Sequence, residues 1–429
     1  MLALERKSVM SEHDIFEKCR SNEGYFGEFR AHGDRYYTLP VMESVPGRMM
    51  RFQGKDVLMW SINNYLGLAE NEEIKQAAID SIGEWGVSGP MGSRMMSGNT
   101  KDHIELEEAL ADFSSKESAI LFNYGYLGVI GTIASLVGQD DIIVLDKLDH
   151  ASIVDASMNA VSDRKNIRVF RHNDMDALES LLKRVNKTRQ KGLIILTEGI
   201  YGMTGDIAKL KDICDLKDKY EARLFIDDAH GVGVMGPTGK GTAEYWGVQD
   251  RVDVYFGTFA KAFASIGGFS AASKEVVEWI RYNARTQVFA KSLPMIYVRS
   301  LIKTLELVRN GHDRRTRLFE IAKKLSDGLK ELGFFVGDVK SPIVPVFVPG
   351  GDPMIAMEWI RYLREKGIFV TGVTYPVIPK GYVMFRMIPT ASHLDEDVDR
   401  TIEAFRALKR DKNIQLSFDE SALSKLYGD

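Results

Sequence analysis

ARLFIDDAHGVG, residues 222–233, decides how the chain is read. A short apolar run, Leu224 to Ile226, ends on two acids, Asp227 and Asp228, and passes into a turn holding His230 and two glycines. That texture fits a buried strand which delivers polar groups to the loop beyond its end. Similar runs recur on both sides: SAILFN (118–123), DIIVLD (141–146), IRVFRH (167–172), LIILTEG (193–199) and VDVYFGTF (252–259). Their lengths and β-branched content suit buried parallel strands, and the stretches between them suit crossover helices. The expected architecture is a doubly wound, mostly parallel α/β layer with its functional residues at the strand ends.

The flanks differ from this centre. EEIKQAAIDSIGEW (72–85) and DHIELEEALADFSS (102–115) have helical periodicity, and the glycine-rich loop GPMGSRMMSGNT (89–100) lies between them. Residues 1–60 are rich in charge and aromatics. They are expected to form an N-terminal arm with a strand pair, Met49–Gln53 and Val57–Trp60, around Gly54 and Lys55. After Pro294 the pattern predicts long helices over Ile296–Arg309 and Arg314–Leu332. Short strands follow near Val344–Val348, Phe369–Thr371 and Val383–Arg386, then a helix over Asp395–Leu408 and an extra helix in the polar tail from Lys412. The expected units are an arm (1–60), a large α/β domain (61–295) and a smaller C-terminal α+β domain (296–429).

Composition narrows the function. The chain has 429 residues, 45% hydrophobic and 27% charged, a globular balance. Its 56 basic and 60 acidic residues leave a net charge of −4, with no basic stripe for nucleic acid. Two cysteines, Cys19 and Cys214, make neither a disulfide framework nor a metal cluster, which points to a reducing cytoplasm. The start, MLALERKSV, turns polar at once, so no secretory signal is expected. No apolar run approaches the roughly 20 residues of a membrane-spanning helix, so a lipid substrate would be met through a groove or at the membrane surface.

The candidate chemistry centres on GTFAKAFASIGGF, residues 257–269. A strand runs into a turn with one lysine, Lys261, among small residues and a glycine pair. A lysine that forms a Schiff base must shed its proton and let a flat cofactor approach; small neighbours and partial burial allow both. About thirty residues earlier, Asp227 is placed to keep a pyridinium nitrogen protonated, and His230 to donate to a phenolic oxygen.

Read together, NNYLGLA (63–69), GSRMMSGNTKDHIELE (92–107), FNYGYLG (122–128), LDHASIVDA (148–156), TEGIYGMTGD (197–206), DDAHGVG (227–233), GTFAKAFASIGGF and FRMIPTASH (385–393) resemble, in this order, the α-oxoamine synthases. These are fold-type-I pyridoxal-phosphate enzymes, and the likeness runs from about Asn63 to Leu408. It implies a pyridoxal 5′-phosphate cofactor on Lys261, with Asp227 and His230 at its ring and His150 stacked on it. Gly125, Tyr126 and Thr258 are implied at the phosphate. Arg386, seven residues before His393, is implied to grip the substrate carboxylate beside the Asn63–Asn64 segment. Arg94 of the GSR loop falls in the implied thioester-binding segment. Lys261 is implied to take the Cα proton, and His150 or His230 to polarise the acyl oxygen.

Two positions depart from that pattern. Gly202 stands where the family usually has serine. Lys291, in VFAKSLP (288–294), replaces a small polar residue and points either to solvent or into the site, where it would favour an anionic group. Met91, Met95 and Met96 line an acyl groove or are core. The resemblance implies condensation of a small amino acid, serine or cysteate, with a long-chain acyl thioester on coenzyme A or acyl carrier protein. NART (283–286) leans to the serine palmitoyltransferase side. VTGVTYPVIPKG (370–381) and KEVVEWIR (274–281) lean to glycine C-acetyltransferase, the alternative activity. An aminotransferase and an inactive partner subunit rank below both. A homodimer with sites shared across the interface is also implied.

Overall fold

A computed structural model describes residues 14–19, 36–375 and 377–416. The centre is a seven-stranded sheet. Its strands are β3 (Ser118–Phe122), β4 (Ile142–Asp146), β5 (Ile167–Phe170), β6 (Leu193–Glu198), β7 (Arg223–Asp227), β8 (Val254–Thr258) and β9 (Gly268–Ala272), in the spatial order β3-β9-β8-β7-β6-β4-β5. Each of the six quoted apolar runs forms one of these strands. All pairings are parallel except those of β9, which runs antiparallel to both β3 and β8.

Strand β9 was not expected. Its sequence, GFSAA, has no β-branched residue. Its small side chains are demanded by packing: a Cβ on Gly268 would lie 2.9 Å from both the Gly257 carbonyl oxygen and the Phe256 ring.

Helices cover both faces, which explains the near-continuous apolar runs. On one face Leu178, Leu182, Ile213, Leu106, Leu110, Val298 and Leu301 share a core cluster with β6 and β7 residues. On the other, Val129 and Ile133, Ile153 and Ala156, and Val277 and Ile280 pack on Ile143, Leu196 and Phe225. The helix Met295–Arg309 thus joins the large-sheet core and packs along Glu72–Trp85.

Residues 49–60 and segments of the C-terminal third meet in a second body. β1 (Met49–Phe52) and β2 (Lys55–Met59) form the expected hairpin, but β2 also pairs in parallel with β11 (Ile368–Phe369). Leu58 and Trp60 are buried with Ile321, Leu325, Trp359, Phe385 and Phe405 in one cluster. The hairpin is therefore no detached arm: one hairpin leaves its outer edge and apolar face unpartnered, and the C-terminal segment supplies both. β10 (Val344–Phe347), β12 (Gly372–Val373) and β13 (Met384–Met387) make a separate antiparallel sheet in the order β10-β13-β12. The single strand expected over Phe369–Thr371 is split, because β11 joins β2 while β12 joins β13. The last helix, Asp395–Asp411, runs one turn beyond expectation. The helix expected in the tail falls mainly on residues 417–429, outside the described residues.

Candidate active site

The C-terminal ends of adjacent strands carry the polar groups. Glu198 closes β6 in register with Asp227, which closes β7, and Thr258 closes β8. Asp149 braces the next strand end: its carboxylate accepts from the Asp146 N–H (2.9 Å) and the Glu198 N–H (3.2 Å), fixing the loop that presents His150.

Lys261 sits on a closed loop beyond β8. Phe259 N–H donates to the Gly267 carbonyl (2.9 Å), Ser265 N–H to Phe259 (2.9 Å) and Ala264 N–H to Lys261 (2.9 Å). Phe259 and Phe263, both 0% exposed, anchor this loop with ring centroids 5.6 Å apart. Burial of the amine pushes its pKa down to about 8, while the Asp227 and Glu198 carboxylates pull the other way. Asp227 is itself buried and raised by that burial. Lys261 and His150 oppose the rise, and the Ala229 N–H donates to its Oδ1 at 3.1 Å.

The histidines are both held neutral. His230 is buried, and desolvation plus the nearby cations Lys261 and Arg386 take it well below the ordinary imidazole value. The Tyr65 hydroxyl shares a hydrogen bond with His230 Nδ1 (2.8 Å) and is also reached by Arg386. His150 caps the helix Ala151–Ala160, accepting the Ser152 N–H on Nδ1 at 3.2 Å. Its pKa is lowered, first by desolvation and then by Lys261, with Asp227 pulling against both. His150 is exposed, and Tyr126 approaches it edge-on at 6.3 Å between centroids. The Tyr126 hydroxyl donates to Asp155.

The helix Gly125–Leu136 starts from Tyr124 without a side-chain cap, and its first amide used internally is that of Gly128, so the N–H groups of residues 125–127 point forward unclaimed by the helix. A Cβ on Gly125 would lie 2.8 Å from Thr258 Oγ1, so glycine lets the helix start approach that hydroxyl closely. Unclaimed helix-start amides beside a hydroxyl suit a phosphate.

Arg386 reaches the same cluster from β13. Its Nε donates to the Gly202 carbonyl and its Nη1 to Asn63 Oδ1 (3.1 Å). Asn63 is therefore the asparagine that faces inward. Asn64 instead accepts the Ala69 N–H (3.2 Å) and steadies the turn.

Two candidates are not brought here. The Arg94 guanidinium lies 7% exposed in a bidentate pair with Glu107 (2.9 and 3.0 Å) and donates to Asn99 (2.7 Å). Glu107 also accepts the Leu121 N–H, so Arg94 neutralises a buried carboxylate. Lys291 Nζ donates to the carbonyl and hydroxyl oxygens of Ser88 (both 2.6 Å). Met91, Met95 and Met96 are exposed rather than core.

Two further residues belong to the cluster and carried no assignment in the sequence reading. Glu198 receives the Gly202 N–H, and burial with Asp227 alongside raises its pKa to about 8. Tyr65 is raised to about 12 by burial, against Arg386. Both lie inside quoted motifs. An acid ending an apolar run was the available signal for Glu198; an aromatic beside Asn63 and Asn64 marked Tyr65 only faintly.

The family described as aminotransferase class I and II matches residues 55–405. The chain belongs to that family. Among curated members of this wider group, the cysteate-C-fatty acyltransferase of Capnocytophaga ochracea is 46% identical over 400 residues, covering 92% of this chain and 94% of that one. The 8-amino-7-oxononanoate synthase of Thermoanaerobacter pseudethanolicus is 38% identical (88% and 94% covered), and the serine palmitoyltransferase of Bacteriovorax stolpii 37% (88% of each). The serine palmitoyltransferase of S. paucimobilis, solved with pyridoxal phosphate and myriocin, superposes with a TM-score of 0.87 at 30% identity, covering 94% of this chain and 100% of that one. The protein is accordingly a pyridoxal-phosphate-dependent acyltransferase of the α-oxoamine synthase group with a fold-type-I architecture. The residues present fit that cofactor: an amine of lowered pKa, a buried carboxylate beside it, and the uncapped helix start at Gly125 against Thr258. Among the described residues no helix is long and apolar enough to cross a membrane.

Proposed function

We propose that the protein condenses a small amino acid, cysteate or serine, with a long-chain acyl thioester to give a 3-keto amino lipid precursor. A carbon–carbon bond forms between the amino acid Cα and the acyl carbonyl carbon. The C–S bond and the bond from Cα to the carboxylate break, releasing thiol and carbon dioxide. The observation that carries this reading is the meeting of the Arg386–Asn63 grip with the Lys261–Asp227 pair in one cluster. The 46% identity to a cysteate-C-fatty acyltransferase supports cysteate as the first substrate to test.

Pyridoxal phosphate, held by Lys261, Asp227, His150, His230, Gly125, Tyr126 and Thr258, supplies an electron sink for charge developing at Cα. Arg386 and Asn63 bind the substrate carboxylate, a bidentate task for which the guanidinium is shaped. Lys261, whose amine is near neutrality's edge at about 8, takes the Cα proton and returns one to the product. Asp227 would keep the ring nitrogen protonated. His230, whose Nδ1 is held by Tyr65, would offer Nε2 to a ring or acyl oxygen. His150, its pKa lowered by desolvation, would lie against the ring.

The chain is proposed to act in the cytoplasm as a homodimer and to meet its lipid product at the membrane surface. Either coenzyme A or acyl carrier protein is a compatible thiol carrier. Purified holoenzyme given cysteate, serine, glycine or alanine with palmitoyl-CoA or acetyl-CoA tests the assignment through thiol and carbon dioxide release. Turnover with cysteate or serine is expected. Turnover confined to glycine and acetyl-CoA would make the protein a glycine C-acetyltransferase, and transamination without thiol release would overturn the condensation.

A further inference from the structure

Two chain segments from opposite ends of the sequence build the carboxylate grip. One, residues 59–67, carries Asn63 and Tyr65; the other, residues 386–393, carries Arg386. Backbone bonds join them: Ile388 N–H to Trp60 O (2.7 Å) and Ala391 N–H to Tyr65 O (2.8 Å). His393 adds a third link of a different kind. Its ring lies parallel to Trp60, at 1° and 4.0 Å between centroids, and is 1% exposed. The Thr390 N–H donates to its Nδ1 (3.0 Å), which leaves the ring hydrogen on Nε2 to donate to the Met59 carbonyl (3.1 Å). Trp60 is locked in turn by its Nε1–H to Thr401 Oγ1 (3.0 Å). Ser392 fits against Gly67 so closely that a Cβ there would lie 2.0 Å from Ser392 Oγ.

We infer that His393 is a positioning residue: its Nε2 link to Met59 and its stack on Trp60 set the gap between Asn63 and Arg386, and so the affinity for the amino acid's carboxylate. His393 touches no reacting group. It acts through the placement of the 59–67 segment, and the Asn63–Arg386 hydrogen bond, which spans 323 residues of sequence, is what it holds in register. Desolvation takes the imidazole down to about 4, so the tautomer that spans the two segments persists across the working pH range. The inference rests on the proposed role of Arg386 in binding carboxylate.

The two nitrogens can be tested separately. In His393→Gln the amide nitrogen falls near the Nε2 position and retains a donor for Met59, whereas His393→Asn keeps only the acceptor for Thr390. Holoenzyme is titrated with amino acid by its visible absorbance, and the thioester KM, kcat and melting temperature are measured beside it. His393→Asn is expected to raise the amino acid Kd about tenfold with the thioester KM unchanged within twofold, and His393→Gln to stay within threefold of the parent. Should His393→Asn not fold, His393→Leu, which fills the site but donates nothing to Met59, must give the same split. Equal effects of Asn and Gln, or a parallel rise in both substrates' constants, would overturn the inference in favour of a merely structural histidine. Arg386→Met runs beside them: if it leaves the amino acid Kd unmoved, the carboxylate grip itself is refuted, a failure separate from that of His393.

Discussion

The lysine's basicity is the sharpest quantity the site offers. Burial brings the Lys261 amine to about 8, against an ordinary value of 10.5. At pH 7 a group at 8 is about 9% free amine and one at 10.5 about 0.03%, so Lys261 should present roughly 300 times more reactive amine than a surface lysine. Cofactor-stripped protein labelled with a limiting acylating reagent between pH 6 and 11, and read peptide by peptide, gives the titration directly. A midpoint near 8 is expected at Lys261, with surface lysines titrating well above it. Asp227→Asn removes the negative charge that favours the ammonium, so its midpoint must fall below 8. Glu198→Gln should move it the same way by less, since the Glu198 influence is smaller. A midpoint near 10.5, or a rise in Asp227→Asn, would refute the placement of this amine.

Other consequences concern the residues around it. A Cβ at Gly202 would lie 2.4 Å from His230 Nε2, so Gly202→Ser must displace that ring by about 1 Å; kcat should fall on the order of a hundredfold. Tyr65→Phe should add little to that loss, because both act on the same ring. Arg94→Leu strands the Glu107 carboxylate with Arg281 as its remaining cation, and a loss of about 3 kcal/mol in denaturant unfolding is expected with little change in substrate affinity. His172 is buried, which alone would lower its pKa, yet hydrogen bonds to Asp146 and Asp206 raise it to about 9. Its contribution to stability is full below about pH 6.5 and lost as pH climbs through 9. The melting temperature should therefore decline over that window, and His172→Gln should flatten the decline.

The large sheet was legible because strands buried on both faces are apolar along their whole length, as in Leu193–Leu196 and Leu224–Ile226. β9 was not, because its packing calls for glycine, alanine and serine, which carry no strand propensity. The pairing of β2 with β11 left no local trace, since Lys55–Met59 contains nothing that names a partner three hundred residues away. At the site, Lys261, Asp227 and His230 could be read because their strand context is continuous in sequence. Arg94, in a polar glycine-rich loop, looks in sequence like a free substrate ligand. Only the fold shows that Glu107 already holds that guanidinium. The inward turn of Asn63 over Asn64 depends on Arg386, and this too is settled in three dimensions alone.

The β2–β11 pairing also bears on how this protein is made. Leu58 and Ile368 stand opposite each other in the sheet, 310 residues apart along the chain. At a synthesis rate of about 5–20 residues per second, Leu58 waits some 15–60 s after leaving the ribosome before its neighbour is even translated. Throughout that interval the hairpin has an open edge, and Leu58 and Trp60, both fully covered in the finished protein, have no cover from the C-terminal segment. A nascent chain stalled short of Ile368 therefore exposes just the surfaces that chaperones and proteases recognise.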